Sequence, residues 1–164
     1  MTSKSRTLKV KKGEIIQHKG QVNSKLYYIK KGLLRSYTID HKGKEHIFMF
    51  ALDKGMIGDA ALPEEPCELF IDAVEDSEVL VREKDIRRDS TPNTFKMVIQ
   101  GMIALQKRVI MLMSESAIDR YTHFEQTYPE LLQRLPQRMI AAYLGITPEA
   151  LSKIRGERAR KNIS

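Results

Sequence analysis

Cysteine, tryptophan and long apolar runs are scarce or missing in this sequence of 164 residues, which has one cysteine and no tryptophan. The lone thiol, Cys67, cannot form an internal disulfide, and it cannot supply the several thiolates of a structural zinc site or an iron–sulfur cluster. No segment approaches the roughly 18 consecutive apolar residues of a membrane span. The basic start MTSKSRTLKVKK also lacks the apolar stretch of a secretory signal. The sequence therefore predicts a cytoplasmic protein.

Catalytic and metal-binding patterns are also missing. The four histidines, His18, His41, His46 and His123, are isolated in the sequence. A haem ligand among them is possible in principle, but isolated histidines are usually surface or core residues. No H-x-H pattern with a following Glu is present, and neither a Ser-His-Asp set nor a P-loop occurs. We therefore predict no enzyme activity, no metal site and no bound cofactor.

Charge is distributed unevenly along the chain, whose formal net charge is +7. Residues 1–50 carry twelve Lys/Arg against three Asp/Glu, whereas residues 51–100 carry six against twelve. Five basic residues lie together near the end of the sequence: Lys153, Arg155, Arg158, Arg160 and Lys161. Because such a cluster is often only a solvated surface, it indicates nucleic-acid binding only in combination with a suitable fold.

The first ninety residues have the pattern of a β domain built from short strands. Glycines separate apolar runs at intervals of about 11 or 12 residues, which is typical of turns in a sandwich or barrel. Runs rich in β-branched and aromatic residues lie at 25–29, 33–39, 46–52 and 70–81. The stretch Asp40-His41-Lys42-Gly43 predicts a hairpin loop in which Gly43 adopts positive φ.

A long helix is predicted over residues 91–116. Thr91 is a suitable N-cap before Pro92, and Gly101 is the only glycine or proline in the twenty-five residues after Pro92. Apolar residues with a/d spacing form a first stripe: Phe95, Val98, Met102, Leu105, Val109 and Leu112. A second stripe consists of Ile99, Ile103, Ile110 and Met113. Two apolar sides suggest two partners, so we expect one side to pack on the β domain and the other to pair with a second chain in a homodimer.

Shorter helices are predicted at 117–128, 129–135, 136–145 and 147–161. The last two meet in the stretch YLGITPEALSKIR, residues 143–155. Gly145 stands where a helix end needs a left-handed residue, and Thr147 with Pro148 can provide an N-cap and a first turn. Small Ala141 and the glycine corner allow the two helices to cross closely at a steep angle, as in a helix-turn-helix.

The exposed side of the second helix of this pair is polar and basic. Lys or Arg can bond guanine O6 and N7, Glu can accept from cytosine N4, and Ser or a helix N-terminus can hold phosphate. We therefore predict that this helix-turn-helix binds double-stranded DNA. The predicted contact residues are Gln137, Arg138, Thr147, Pro148, Glu149, Ser152, Lys153, Arg155 and Arg158.

These stretches together resemble the Crp/Fnr family of transcriptional regulators. The likeness lies in KGEIIQHKGQVNSKLYYIKKGLLRSY, in KGMIGDAAL and in YPELLQRLPQRMIAAYLGITPEALSKIR, and it looks most like members from Bacteroidetes-type bacteria. It implies an α+β protein with an N-terminal double-stranded β-helix of the jelly-roll, cyclic-nucleotide-binding type over residues 1–90. A dimerisation helix at 91–116 and a helix-turn-helix domain at 117–164 would follow.

The resemblance also assigns parts of the DNA-binding domain. It places the start of the recognition helix at Pro148, with Glu149 and Lys153 at base-contacting positions. Only nine residues follow Arg155, so we expect a winged-helix-like unit whose wing is reduced or absent.

The expected ligand cassette departs from the pattern of cyclic-AMP-binding members. The resemblance places Gly58, Asp59 and Ala60 at the Gly-Glu part of the cassette, and Cys67 and Glu68 where an Arg-Ser pair would bond the cyclic phosphate. Residues 58–80 contain eight acidic residues and no basic one. One carboxylate about 6 Å from a bound phosphate costs roughly 3 kcal/mol at an effective dielectric near 20. We therefore expect no tight binding of cyclic AMP, and the identity of any effector stays open.

The main prediction is thus a homodimeric regulator that binds an inverted-repeat operator, with half-sites about 34 Å apart. The resemblance allows RNA polymerase as a further partner, and no membrane partner is expected. Two alternatives remain. One is a stand-alone ligand- or protein-binding module whose terminal helices only dimerise. The other is a cupin-like metal enzyme, which the histidine pattern disfavours.

Overall fold

The computed structural model describes residues 6–85 and 90–161. The chain divides into two compact units, residues 1–89 and residues 90–164. The described part of the first unit contains eight strands: β1 (Arg6–Val10), β2 (Ile15–Gln17), β3 (Leu26–Lys31), β4 (Leu34–Ile39), β5 (Glu45–Ala51), β6 (Met56–Gly58), β7 (Phe70–Ala73) and β8 (Ser77–Arg82). The described part of the second contains five helices: α1 (Pro92–Ser114), α2 (Ala117–Thr127), α3 (Leu131–Arg134), α4 (Gln137–Leu144) and α5 (Pro148–Lys161).

The strands of the first unit form two antiparallel sheets, in the orders β1-β8-β3-β6 and β2-β7-β4-β5. The predicted strands at 25–29, 33–39 and 46–52 are confirmed as β3, β4 and β5. The prediction of one strand over 70–81 is wrong, because the chain turns after Ala73 and β7 and β8 belong to different sheets. The N–H groups of Val74 and Glu75 both bond to Leu33 O at this turn.

The core of the first unit lies between the two sheets. Buried residues of both sheets form a cluster there: Val10, Tyr27, Ile29, Leu34, Ala51, Ile57, Ile71, Ala73, Val79 and Val81. Strand β8 contributes alternate residues, as expected of a strand with one face on the core. The hairpin between β4 and β5 is confirmed, since Gly43 has φ +78°.

A buried ion pair joins strands of the second sheet. Arg35 on β4 is 6% exposed and donates from Nε and Nη2 to the Asp72 carboxylate on β7, at 2.8 and 2.9 Å. Its Nη1 donates to Glu45 Oε2 on β5 at 2.6 Å. Burial lowers the pKa of Arg35, but hydrogen bonds to Asp72 and Glu45 outweigh burial and hold it above its ordinary value. The guanidinium is therefore charged and linked to both neighbouring strands of the sheet.

Helix α1 is long and largely exposed within the described structure. Thr91 caps it by accepting from Thr94 N–H at 3.1 Å, and Pro92 is its first residue, as predicted. By length and composition alone it could cross a membrane. Only 6% of its most apolar 18-residue stretch is buried in the described structure. Polar residues such as Gln100 and Lys107 interrupt its apolar sequence, so no continuous apolar run of membrane length occurs although the mean hydropathy of the helix is high.

Candidate nucleic-acid interface and ligand cassette

The corner between α4 and α5 is built as the sequence predicts. Gly145 ends α4 with φ +68°, a left-handed conformation that favours glycine. The N–H of Ile146 donates to Ala141 O at 3.1 Å and closes the turn. On either side, the buried faces consist of Ile140, Ala141 and Leu144 on α4 and Leu151 and Ile154 on α5.

A guanidinium fixes the base of this corner. Arg120 on α2 donates from Nη1 to Leu144 O at 3.1 Å and from Nη2 to Leu112 O at 2.9 Å. Its Nε donates to Glu115 O at 3.1 Å. These carbonyl groups lie at the C-terminal ends of α4 and α1, where cations are favoured and hydrogen-bond donors are needed. Arg120 therefore ties the long helix to the corner, a role that nothing in its sequence position indicates.

A second contact links α1 to α4. Arg108 Nη2 donates to Tyr143 O at 2.9 Å, and its guanidinium lies 3.7 Å from the centre of the Tyr143 ring. Burial lowers the pKa of Arg108. Met111, one turn further along α1, is buried against the same helices. The face of α1 that contains Arg108 and Met111 thus packs on the helical unit, and neither predicted apolar stripe includes these residues.

Helix α5 presents the predicted recognition surface. Thr147 Oγ1 accepts from Ala150 N–H at 3.2 Å, which confirms the predicted N-cap, and the helix begins at Pro148. The exposed residues of the predicted set are Gln137, Arg138, Thr147, Pro148, Glu149, Ser152, Lys153 and Arg155. Ser152 Oγ donates to Gln137 Oε1 at 3.3 Å, so the first residue of α4 lies beside the second turn of α5. The structure thus leaves these eight residues exposed, and their contact with DNA stays a prediction.

Arg158 has a different environment. Its Nη1 donates to Glu125 Oε2 on α2 at 2.5 Å, with Thr122 Oγ1 at 3.4 Å. Its side chain is 36% exposed. The ion pair joins α5 to α2 through Nη1, so a DNA contact by Arg158 would use the other donors of its guanidinium. Its assignment to the interface stays a prediction.

In the candidate ligand cassette of the β-roll, backbone N–H groups donate to the Asp59 carboxylate. Asp59 is 8% exposed, and its Oδ2 accepts from the N–H groups of Glu68 and Leu69 at 3.0 and 2.9 Å. Its Oδ1 accepts from Ala61 N–H at 2.8 Å. Backbone N–H groups of this kind could have held an anionic ligand. Here they already bind a carboxylate of the chain itself.

The other cassette residues are also engaged. Cys67 is 1% exposed and donates from Sγ to His18 O at 3.0 Å. A Cβ at Gly58 would lie 2.8 Å from Leu26 Cδ2 and 3.1 Å from Lys25 O, so a side chain here would require its neighbours to shift. Ala60 and Glu68 are exposed, and Glu68 pairs with Lys19 at 3.2 Å. The cassette residues therefore form a closed loop around Asp59.

Lys84 lies beneath this loop. Its Nζ donates to Ser24 Oγ, Asp59 O and Ala61 O, at 2.6, 2.7 and 2.6 Å. Burial lowers the pKa of Lys84. Because carbonyl oxygens and a hydroxyl already surround this ammonium group, it is part of the support of the loop.

Histidines and carboxylates do not converge on a metal site in the part of the chain that the structure describes. His46 pairs with Asp40 across the hairpin, with Nε2 2.8 Å from Oδ2. Hydrogen bonding from His46, followed by backbone N–H groups, lowers the pKa of Asp40 to about 2. The pair stabilises the hairpin geometry rather than offering a set of metal ligands.

A β-roll followed by a helix-turn-helix is typical of transcriptional regulators that join a sensor-type domain to a DNA-binding domain. The cyclic nucleotide-binding domain family matches residues 7–89. The chain belongs to this family and, with its helical half, to the Crp/Fnr transcriptional regulators. Its curated relatives are regulators and not enzymes, as the sequence predicted.

Two curated relatives show the extent of the sequence likeness. The chain is 24% identical over 151 residues to the nitrogen fixation regulation protein FixK of Rhizobium meliloti, which covers 88% of this chain and 71% of that protein. It is 26% identical over 172 residues to the fumarate and nitrate reduction regulatory protein of Vibrio cholerae, with 94% and 69% covered.

Solved structures show the same fold. FixK2 from Bradyrhizobium japonicum matches with a TM-score of 0.78 at 18% identity, over 97% of this chain and 86% of that one. A Crp/Fnr-family regulator from Eubacterium rectale matches with a TM-score of 0.70 at 20% identity, over 96% and 80%. The expected α+β fold, a β-roll followed by helices, is confirmed by this likeness.

Proposed function

We propose that this regulator works in the cytoplasm as a homodimer that binds an inverted-repeat operator through helix α5. The observation that carries the proposal is the exposed polar face of α5. Three contacts hold this helix and the turn before it in place. Gly145 gives the turn its left-handed conformation, and Arg120 on α2 bonds to carbonyl groups at the ends of α4 and α1. Arg158 on α5 pairs with Glu125 on α2. A rigid recognition helix places side chains at base edges with little loss of entropy on binding.

The chemistry of the exposed face suits a major groove. Lys153 and Arg155 are exposed cations that can bond guanine or phosphate, and Glu149 can accept from cytosine N4. A single unit of this size binds DNA non-specifically at about 10⁻⁴ to 10⁻⁶ M. Two units on adjacent half-sites are therefore needed to select one operator.

The exposed apolar surface of α1 supports pairing of two chains. Exposure reaches 69% at Phe95, 60% at Met102 and 53% at Val109, all in the predicted dimerisation stripe. The residues of the second stripe, such as Ile103 at 49%, are exposed as well. A surface this apolar on a soluble protein marks an interaction site.

A second copy suits this surface better than a membrane. Arg108, Met111 and the carbonyl of Leu112 hold the last turns of α1 against the helix-turn-helix. The remaining part of α1, residues 92–107, is shorter than the roughly 20 residues that cross a bilayer. Burying the Arg108 cation in lipid would also cost several kcal/mol. We therefore infer that α1 pairs with the same helix of a second chain.

Selection of bound sites from a random DNA pool tests the operator. We expect an inverted repeat with half-sites about one helical turn apart. Lys153→Ala should weaken binding to that site by about 1 to 3 kcal/mol and relax specificity at one base pair. Lys96→Ala removes the same charge from an exposed position on α1 and should leave the preference unchanged. If no sequence is enriched at moderate salt, the proposal fails and the chain is a module without DNA binding.

Sedimentation equilibrium tests the dimer. Met102→Glu together with Val109→Glu places charges in the dimerisation stripe and should produce a monomer that has lost operator affinity. Gln100→Glu introduces one negative charge on the other side of α1, where the residue is exposed, and should keep the dimer. A wild-type protein that remains monomeric at micromolar concentration would refute pairing through α1.

A further inference from the structure

A cavity of about 280 Å³ opens to the surface of the helical unit, next to the corner. Three segments line it: α1 with Ala104, Lys107, Arg108 and Met111; α2 and the residue after it with His123, Phe124, Thr127 and Tyr128; and α4 with Tyr143 and Leu144. Its size is just below the range of about 300 to 1,000 Å³ that is usual for small-molecule sites. It is separate from the cassette around Asp59, which belongs to the other unit.

Aromatic rings form one wall of this cavity. The Phe124 ring lies 5.6 Å from Tyr128 and 5.5 Å from Tyr143, and the two tyrosine rings meet edge to face at 6.4 Å. Apolar side chains of Ala104 and Met111 add to this lining. Such a surface favours a flat apolar group, since offset and edge-to-face contacts between rings are stabilising.

The charged groups of the lining have one sign. Lys107 is an exposed lining residue, and the guanidinium of Arg108 lies over the Tyr143 ring. No carboxylate occurs among the described residues that line the cavity. The lining therefore suits a ligand with a negative group and a ring.

We propose that this cavity binds a small aromatic carboxylate, whose ring packs on Tyr128 and Tyr143 and whose carboxylate is held by Lys107 and Arg108. The ligand would touch α1, α2 and α4 at once. Because α4 is the first helix of the helix-turn-helix, occupancy would stiffen the connection between the long helix and the corner.

Titration calorimetry on the full-length protein tests the site with benzoate and phenylacetate, and with benzamide as a neutral analogue. We expect saturable binding of at least one carboxylate at a single site per chain, at least about tenfold tighter than benzamide, because hydrogen bonds to charged groups are the stronger ones. Inorganic phosphate should bind more weakly than the aromatic acid. Equal binding of benzamide or of phosphate overturns the assignment of the ligand class.

Two variants locate the binding. Ala104→Leu fills the cavity, and Lys107→Gln removes an exposed cation of the lining; each should weaken carboxylate binding at least about tenfold. Lys96→Gln, on the same helix but outside the lining, should bind as the wild type does. Circular dichroism checks that each variant folds. No saturable binding up to millimolar concentration, or binding that Ala104→Leu and Lys107→Gln both leave unchanged, refutes the site. DNA is absent from these experiments, so their outcome is independent of operator recognition.

Discussion

Replacing Asp59 with alanine should open the ligand cassette of the β-roll. The Asp59 carboxylate accepts from the N–H groups of Ala61, Glu68 and Leu69, at 2.8, 3.0 and 2.9 Å. The residue is 8% exposed, so water does not readily replace its oxygens. Alanine leaves three donors without their acceptor.

The expected magnitude follows from these three bonds. A net contribution of about 1 kcal/mol for each, the usual value for an intramolecular hydrogen bond, gives a local loss of roughly 3 kcal/mol. A loss of that size corresponds to a change of about a hundredfold in a local opening equilibrium. Hydrogen exchange of the Glu68 and Leu69 amides measures this opening directly, and their exchange should be about a hundredfold faster in the variant.

The matched control is Glu64→Ala, which removes an equal charge from an exposed residue of the same segment. It should leave the exchange of the Glu68 and Leu69 amides as it is in the wild type. Protection of these amides within about threefold of the wild type in Asp59→Ala would show that the carboxylate does not hold the loop, and the reasoning would be wrong.

Three further perturbations test other parts of the structure. Asp72→Ala leaves Arg35 buried without its bidentate partner and should lower the free energy of unfolding by about 3 to 5 kcal/mol in urea; a loss under about 1 kcal/mol would contradict the buried pair. Burial raises the pKa of Tyr27 to about 12. An unfolded tyrosine ionises near pH 10, whereas Tyr27 in the folded protein stays protonated up to about pH 12. The free energy of unfolding should therefore fall as the pH rises from about 10 to 12. A pH titration followed by absorbance at 295 nm should show a step near pH 12 in the wild type that is missing in Tyr27→Phe. Identical titration curves for the two proteins would refute this. Gly145→Val forces a β-branched residue into positive φ and should cost about 1 to 3 kcal/mol in thermal unfolding, whereas Gly156→Ala, within α5, should stabilise it; equal effects would argue against strain at the corner.

The order of the elements could be predicted because local signals define them. Thr91 with Pro92 and Thr147 with Pro148 mark helix starts, and Gly43 and Gly145 mark a hairpin and a helix end. Each of these depends on the conformation or hydrogen-bonding capacity of one or two residues, which the sequence shows directly. The run at 70–81 has the pattern of one continuous strand because the turn between its two strands contains no glycine or proline.

Long-range contacts of the candidate sites could not be predicted in this way. Nothing near Arg120 in the sequence indicates that it donates to the carbonyls of Leu112 and Leu144, and Arg158 reads as a DNA contact although it pairs with Glu125. These partners lie between 8 and 33 residues apart. A charged side chain on a helix has the same sequence signature whether it faces solvent, a carbonyl or a carboxylate.

The sequence by itself therefore determined the kind of protein: the β domain, the long helix, the glycine corner and the basic recognition surface all follow from local pattern and composition. Only the tertiary structure decided which of these groups are available to a partner. The Asp59 carboxylate accepts from backbone donors of its own loop, and one side of α1 packs on the helical unit while its apolar stripes, apart from half-buried Leu112, stay exposed. The physical reason is that hydrogen-bond partners are chosen by proximity in three dimensions, and periodicity along the chain carries no information about that choice.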